Sequence, residues 1–434
     1  MRTVGVGIVG YGTVGQATAE IITANAEEIR KRSGVSLRVT SVCRRSPLSS
    51  EAVPGTVRVT DEWREVVQAD DVDILVETIG GTDVAYRAVR ACLERGKPVV
   101  TANKNLVARH GDEIFALAAK KNLPIGFEAT VAGGVPILSA IAEETAGDRL
   151  LAVYGILNGT VNYILTRMES ENLDFGAALA AAQQAGYAEA DPALDIDGID
   201  ARDKLCILAR LAFGGRLAPE AISVTGVRQV EAEDIHYARR LEGTIRLVAA
   251  AEKTEQGVEL SVRPWLVDRR SMLAKVEGVN NAVFLVGEKI GTQMFYGRGA
   301  GGDATGAAVV ADIVDIARSL AAGTLAARKV PGFLDQHDLR ISQTPTPVGW
   351  YLRLTVLDRP GILARVAEVI AREGINVEAV IQERSPKDRR SFVITVEPVS
   401  EPVMRRALAE IDRFDFMLEP VLPMRVEQSL VKNA

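Results

Sequence analysis

The chain opens with an unbroken apolar run, Val4 to Val9, followed by a glycine-spaced turn, Gly10-Tyr-Gly-Thr-Val-Gly15. A short apolar run without alternation reads as a strand buried on both faces. A helical pattern follows from Gln16 to about Arg30, and Leu37 to Cys43 reads as a second strand. Asp73 to Glu77 and Pro98 to Thr101 are further short apolar runs, separated by the helical stretch Ala85 to Glu94. Strands alternating with helices predict a parallel α/β sheet over residues 1–132. The pattern changes near Gly133. Leu150 to Leu157 is strand-like, Asn158-Gly159-Thr160 is a turn into a helix, and Phe175 to Gln184 is helical. Strand-like runs recur at Leu260 to Val267, Ala282 to Val286 and Gln293 to Gly297, so 133–302 reads as an α+β domain with a mixed sheet. The long helical run from Asp303, assigned over 303–325, is expected to belong with the first domain. Residues 326–346, with their Pro, Gln, Asp and His, suit a linker. The last segment, 347–425, has the order βαββα: Tyr351 to Leu357, Ile362 to Arg372, a strand led by Gly374-Ile-Asn-Val377, Ser391 to Glu397, and Val403 to Ile411. A closing strand near Phe416 to Leu422 would complete a small ferredoxin-like unit.

Composition narrows the function classes. At 434 residues the chain is long enough for two or three domains. Its net charge of −6 gives no reason to expect nucleic acid or an anionic membrane as partner. Three scattered cysteines (Cys43, Cys92, Cys206) fit a reducing cytoplasm better than a disulfide framework. The N-terminus runs directly into the glycine turn and reads as a strand, not a signal peptide. No apolar run reaches the length of a membrane span. The three histidines lie far apart, which argues against a zinc mechanism.

The motifs point to a nicotinamide enzyme. Gly10-x-Gly12-x-x-Gly15, after a strand and before a helix, stands where a dinucleotide fingerprint must stand. An acid at the end of the second strand would favour NAD. Arg44 and Arg45 occupy that place and favour the 2′-phosphate of NADP, the other reading being a plain basic loop. Lys104, in Thr101-Ala-Asn-Lys104, follows a strand at the ligand crevice; it reads either as a substrate group or as a solvated loop lysine. Glu128, before the glycine turn Gly133-Gly134, reads as a buried hydrogen-bonded carboxylate more readily than as an ion ligand. Tyr296-Gly-Arg-Gly-Ala-Gly301-Gly302 before a helix reads equally as a cofactor loop or a flexible turn. The densest cluster is Gly186 to Lys204, with Glu189, Asp191, Asp195, Asp197, Asp200 and Asp203. A helix beginning near Ile199 sets Asp200 and Lys204 on one face; the pair reads equally as a proton donor in a polar small-molecule site or as an ordinary ion pair on a solvated acidic loop.

Together these motifs resemble the homoserine dehydrogenases. The likeness rests on GYGTVG at 10–15, TANK at 101–104, FEATVAGGVP at 127–136, LNGTVNYIL at 157–165, the 186–204 cluster and YGRGAG at 296–301. The C-terminal unit, with Asp358-Arg-Pro-Gly361 and Gly374-Ile-Asn-Val377, resembles an ACT domain, as in the monofunctional feedback-regulated form. The resemblance implies a Rossmann-type NADP-binding domain and interconversion of L-aspartate 4-semialdehyde and L-homoserine, a step toward threonine, methionine and isoleucine. It implies Lys204 as proton donor, with Asp200 and Lys104 beside the reaction. Substrate contacts would come from Glu189, Asp195, Asn158, Gly159 and Thr160. Cofactor contacts would come from Gly10, Gly12, Thr13, Val14, Gly15, Arg44, Arg45, Lys104, Gly186 and Gly301. A sodium ion would be held by Glu128, Val131, Gly133 and Val135, and threonine would act through Asp358, Gly361, Ile362 and Asn376. A homodimer or homotetramer is implied. Two other readings stay open: a non-catalytic NADP- and amino-acid-sensing regulator, and an aspartate-semialdehyde dehydrogenase with Cys206 as nucleophile.

Overall fold

The computed structural model describes residues 3–45, 57–383 and 389–427. The chain forms two compact units, one of 1–153, 202–222 and 281–339, the other of 154–201, 223–280 and 340–434.

The first unit begins with strand β1 (Thr3–Val9), helices α1 (Thr13–Ala24) and α2 (Ala26–Ser33), and strands β2 (Ser36–Cys43) and β3 (Arg58–Thr60). Helix α3 (Trp63–Gln68), strand β4 (Ile74–Glu77), helix α4 (Asp83–Glu94), strand β5 (Val99–Thr101), helix α5 (Lys104–Lys121) and strand β6 (Ile125–Gly126) follow. The six strands form one sheet in the order β3-β2-β1-β4-β5-β6 with parallel pairing throughout, a Rossmann-type sheet. Helix 303–325 of the sequence reading is the helix Gly302–Ala322, which packs along α1; a Cβ on Gly306 would lie 3.1 Å from the Thr18 amide. Its Val309, Ile313 and Ala317 join the core formed by Val4, Val6 and Ile8. The single helix expected from Gln16 to Arg30 breaks at Asn25 into α1 and α2. Helix α5 was not legible, because Gly111 interrupts its middle. The glycine is required there: a Cβ would sit 2.5 Å from the Phe333 ring.

The remaining elements, in chain order, are β7 (Leu150–Ile156), α6 (Gly159–Glu171), α7 (Phe175–Gln184), α8 (Ala193–Ile196), α9 (Ile199–Phe213), β8 (Ser223–Val224), α10 (Ala232–Arg240), β9 (Gly243–Thr254), β10 (Gly257–Asp268), β11 (Asn280–Gly287), β12 (Gly291–Arg298) and α11 (Gly302–Ala322). The C-terminal part is β13 (Val348–Val356), α12 (Ile362–Arg372), β14 (Val377–Gln382), β15 (Arg390–Val399), α13 (Glu401–Ile411) and β16 (Leu422–Val426). Helix α12 buries Ile362, Val366, Val369 and Ile370, one apolar stripe against Trp350, Leu352 and Leu354 of β13.

The closing strand lies at Leu422–Val426, later than the sequence suggested, and it serves two neighbours. It pairs antiparallel with β13 and parallel with β10, through Trp265 opposite Arg425 and Leu266 opposite Val426. The C-terminal strands and the β9–β10 hairpin are thereby parts of one sheet. Further ties run between them. Asp234 of α10 accepts the Tyr351 hydroxyl at 2.8 Å and forms an ion pair with Arg353 at 2.9 Å. Arg425 forms a two-pronged pair with Glu252 and lies over the Trp265 ring. The segment 326–346 holds no helix or strand, yet Val330 and Phe333 are buried.

Candidate active site

The glycine turn after β1 is built for close approach. Gly10 has φ +105°, and a Cβ there would lie 2.4 Å from the Thr78 carbonyl carbon. Gly15 is equally constrained, with the Gly10 oxygen 2.4 Å from its missing Cβ. Gly12 caps α1 without any side-chain hydrogen bond, so the Thr13, Val14 and Gly15 amides at the helix N-terminus meet no capping side chain. Space above Gly12 is open: an added Cβ would touch nothing within 4 Å. Gly301 caps α11 in the same way, with φ +108° and open space at its Cβ position. Gly302 lies against Thr13, so two helix N-termini without side-chain caps converge. Their partial positive charges make this an anion site, which fits a dinucleotide pyrophosphate. Arg44 and the exposed Arg45 follow β2 directly, and Arg44 is anchored by its amide on the Thr60 carbonyl.

Lys104 is the first residue of α5, half-buried, behind an Asn103 cap whose oxygen accepts from Leu106. Lys204, also half-buried, lies in α9 one turn after the buried Asp200. The helix begins at Ile199, as the spacing of these two residues required.

The second unit gathers Asn158, Asp195 and Asp200. Asn158 caps α6 with its oxygen, and its amide nitrogen donates to Asp195 at 2.7 Å and to Asp200 at 2.8 Å. Thr160 donates to the Tyr187 carbonyl at 2.6 Å, tying the start of α6 to the acidic loop. Gly186 ends α7 with φ +75°, and Glu189 is exposed on the loop that follows. The six acids therefore do not act as a block. Asp197 is held at 2.9 Å and closer by Arg228, whose contact keeps its carboxyl below the usual range, and Asp203 pairs with Arg202 at 2.8 Å.

Glu128 is buried. Its two oxygens accept the amides of Leu138 at 2.7 Å and Ser139 at 2.9 Å, which is the hydrogen-bonded reading of its sequence context. Its own amide donates to Asp312, whose carboxyl burial pushes up to about 7. Val131, Gly133 and Val135 follow in a turn with positive φ at Ala132 and Gly133. Among the described residues no cluster of three His, Cys, Asp or Glu is placed to hold a metal. Cys206 is buried, donates to the Leu217 carbonyl, and has its thiol pushed up to about 12 by burial, which removes it as a nucleophile.

The comparisons decide the family. The homoserine dehydrogenase model matches residues 136–314, its NAD-binding domain model matches 10–128, and the ACT domain model matches 350–416. A homoserine dehydrogenase of Neisseria gonorrhoeae is 40% identical over 434 residues, covering 98% of this chain and 99% of the relative. The chain belongs to the homoserine dehydrogenase family. Its fold agrees with that of a homoserine dehydrogenase from Thiobacillus denitrificans, at TM-score 0.92 and 38% identity over 99% of both chains. A hyperthermophilic archaeal homoserine dehydrogenase solved with NADPH matches at TM-score 0.61 and 29% identity, covering 72% of this chain and 97% of the other. This homoserine dehydrogenase is thus an oxidoreductase acting on a CH–OH group with a nicotinamide cofactor. No helix among the described residues is long and apolar enough to cross a membrane.

The ACT domain holds a cavity of about 290 Å³ lined by residues 356–363, Gln382, Arg390 and Phe392. Asp358, Gly361 and Ile362 line it, with Arg390 donating to Asp358 at 2.8 Å. Asn376 is not in the lining; its amide donates to Glu397 at 3.0 Å.

Proposed function

We propose that this homoserine dehydrogenase interconverts L-homoserine and L-aspartate 4-semialdehyde with NADP(H) preferred over NAD(H), and that threonine inhibits it through the ACT domain. The observation that carries the substrate reading is the Asn158 bridge, which ties Asp195 to Asp200, the residue one turn ahead of Lys204 in α9. NADPH, when bound, supplies the hydride to the aldehyde carbon. Lys204 gives its proton to the aldehyde oxygen and takes it back from the homoserine hydroxyl in the reverse direction. Asp200 stands one helical turn before that lysine, and Lys104 orients the oxygen. Glu189 holds the substrate ammonium, with Asp195, Asn158, Gly159 and Thr160 shaping the pocket. The cofactor rests on Gly10, Gly12, Thr13, Val14 and Gly15, with Gly186 and Gly301 as backbone contacts. Arg44 and Arg45 supply the positive charge a 2′-phosphate requires.

Glu128 with the carbonyls of Val131, Gly133 and Val135 is an oxygen-only donor set, which suits a hard monovalent cation such as sodium. We assign the domains as 1–132 with 303–325, 133–302, a connector at 326–346, and 347–425. Threonine carries an ammonium and a carboxylate, and the Asp358–Arg390 pair at the ACT cavity offers the complementary charges. Two or four copies form the working enzyme, in the cytoplasm. The test is a steady-state assay: homoserine-dependent absorbance at 340 nm with NADP and NAD, with and without threonine. No homoserine-dependent signal with either cofactor would refute the function.

A further inference from the structure

Glu77 has no part in the roles above, yet it is a fully buried carboxylate at the carboxyl end of β4, where a parallel sheet opens its ligand crevice. Four groups converge on it or on its partners. The Thr101 hydroxyl donates to one oxygen at 2.6 Å, and the Ile79 amide donates to the other at 2.8 Å. The Asn103 side-chain nitrogen lies 3.4 Å from that second oxygen and donates to the Gly81 carbonyl at 2.7 Å. The Thr101 oxygen in turn accepts the Asn103 amide at 3.0 Å. Asn103 is the cap of α5, and the next residue is Lys104.

The same short loop reaches the glycine turn. Thr78 donates its hydroxyl to the Gly10 carbonyl at 2.6 Å, and its amide donates to Val9. Residues 77–81 are thus a joint: one side grips the dinucleotide turn, the other grips the start of the helix that carries Lys104. A carboxyl group offers one oxygen to the Ile79 and Asn103 donors and the other to the Thr101 hydroxyl, so it meets all three from one side chain. Burial pushes the Glu77 carboxyl up and the hydrogen bonds from Thr101, Ile79 and Asn103 oppose it. A buried carboxylate is costly to keep, and a neutral side chain would fill the space as well. What the carboxylate adds is directional restraint on two loops.

We propose that Glu77, through Thr101 and Asn103, is a positioning residue that holds Lys104 in register with the cofactor turn. This rests on the role assigned to Lys104 above. Glu77 touches neither substrate nor nicotinamide in this account; it acts through the α5 cap. Loosening the latch misplaces the lysine at the reacting oxygen and leaves the cofactor turn, with its own glycine geometry, intact.

The experiment is a double-mutant cycle in the full-length enzyme, reading kcat, KM for homoserine, NADP dissociation by fluorescence and thermal midpoint. Thr101→Val removes the hydroxyl that donates to Glu77, Thr101→Ser retains it, and Glu77→Gln keeps the shape while replacing an acceptor by a donor. Thr101→Val and Glu77→Gln are expected to lower kcat about 10-fold, since a displacement near 1 Å at a reacting group costs up to about 10²-fold. NADP dissociation should change less than kcat, because Lys104 is one of several cofactor contacts and the glycine turn is untouched, with Thr101→Ser near wild type. In a Lys104→Ala background, Thr101→Val should cost nothing further, because the group it positions is gone. An equal kcat loss in both backgrounds overturns the proposal, as does a variant whose thermal midpoint falls while kcat at 25 °C holds. Lys104→Ala alone reports on the underlying reading. If it keeps wild-type kcat, the Lys104 role fails, and a kcat loss in Thr101→Val then shows that the latch acts elsewhere.

Discussion

Replacing Arg353 by Met should expose how firmly the ACT domain is built into this chain. Arg353 is 4% exposed and pairs with Asp234 at 2.9 Å and Glu231 at 2.9 Å, while its other arm donates to the Gln229 carbonyl at 2.8 Å. Asp234 is 0% exposed. Burial raises its carboxyl from 3.8 to about 6, against the opposing pull of Arg353, the Glu231 amide and the Tyr351 hydroxyl. Removing Arg353 leaves that carboxyl with two hydrogen bonds and no counter-charge. Breaking a buried pair by removing one partner costs about 3–5 kcal/mol. The pH dependence fixes the sign. A folded value above the unfolded one means that the native state holds the proton more tightly, so stability is fullest below 3.8 and falls as pH rises through about 6. The rise corresponds to about 3 kcal/mol in the wild type. Without Arg353 the carboxyl rises further. The deficit of Arg353→Met against wild type should therefore be large at pH 8 and shrink at pH 5, where Asp234 is protonated. Thermal unfolding at both pH values measures it, and adding Asp234→Asn should recover most of the loss. A deficit equal at the two pH values, or larger at pH 5, would refute the assignment of the cost to the Asp234 charge.

Lys204→Ala should lower kcat by about 10²-fold or more with NADP affinity little changed, read by steady-state kinetics and fluorescence titration. Alanine at both Arg44 and Arg45 should weaken NADP by about 1.5–3 kcal/mol and leave NAD nearly unaffected; an unchanged cofactor preference shows arginines facing solvent. Gly111→Ala should lower the thermal midpoint, because the new methyl meets the Phe333 ring that stacks on Arg210 at 4.0 Å. Truncation after residue 345 tests whether chemistry survives without the ACT domain. The β10 edge and Asp234 would be uncovered, so loss of folded protein is the expected result, followed by circular dichroism and activity.

Local physics made much of the fold legible. Strand β1 and its glycine turn follow from an apolar run and from φ values only glycine adopts freely, at Gly10 and Gly301. Helix α12 spans Ile362–Arg372, the residues its apolar period marks. Asp200 and Lys204 share a face because four residues make one helical turn.

What the pattern could not give was decided by distant partners. Strand β9 carries the run Ala249-Ala250-Ala251, helix-favouring in isolation, and becomes a strand because β10 pairs with it along its whole length. Strand β16 includes Pro423 and forms only because β13 and β10 present open edges on its two sides. The Asn158 bridge spans 37 and 42 residues, and the Asp234–Tyr351 bond spans 117. Helical and strand periods arise from neighbours within a few positions, so they are written in the sequence. A hydrogen bond between side chains that far apart leaves no period, and burial by the completed fold is what makes each of those bonds obligatory.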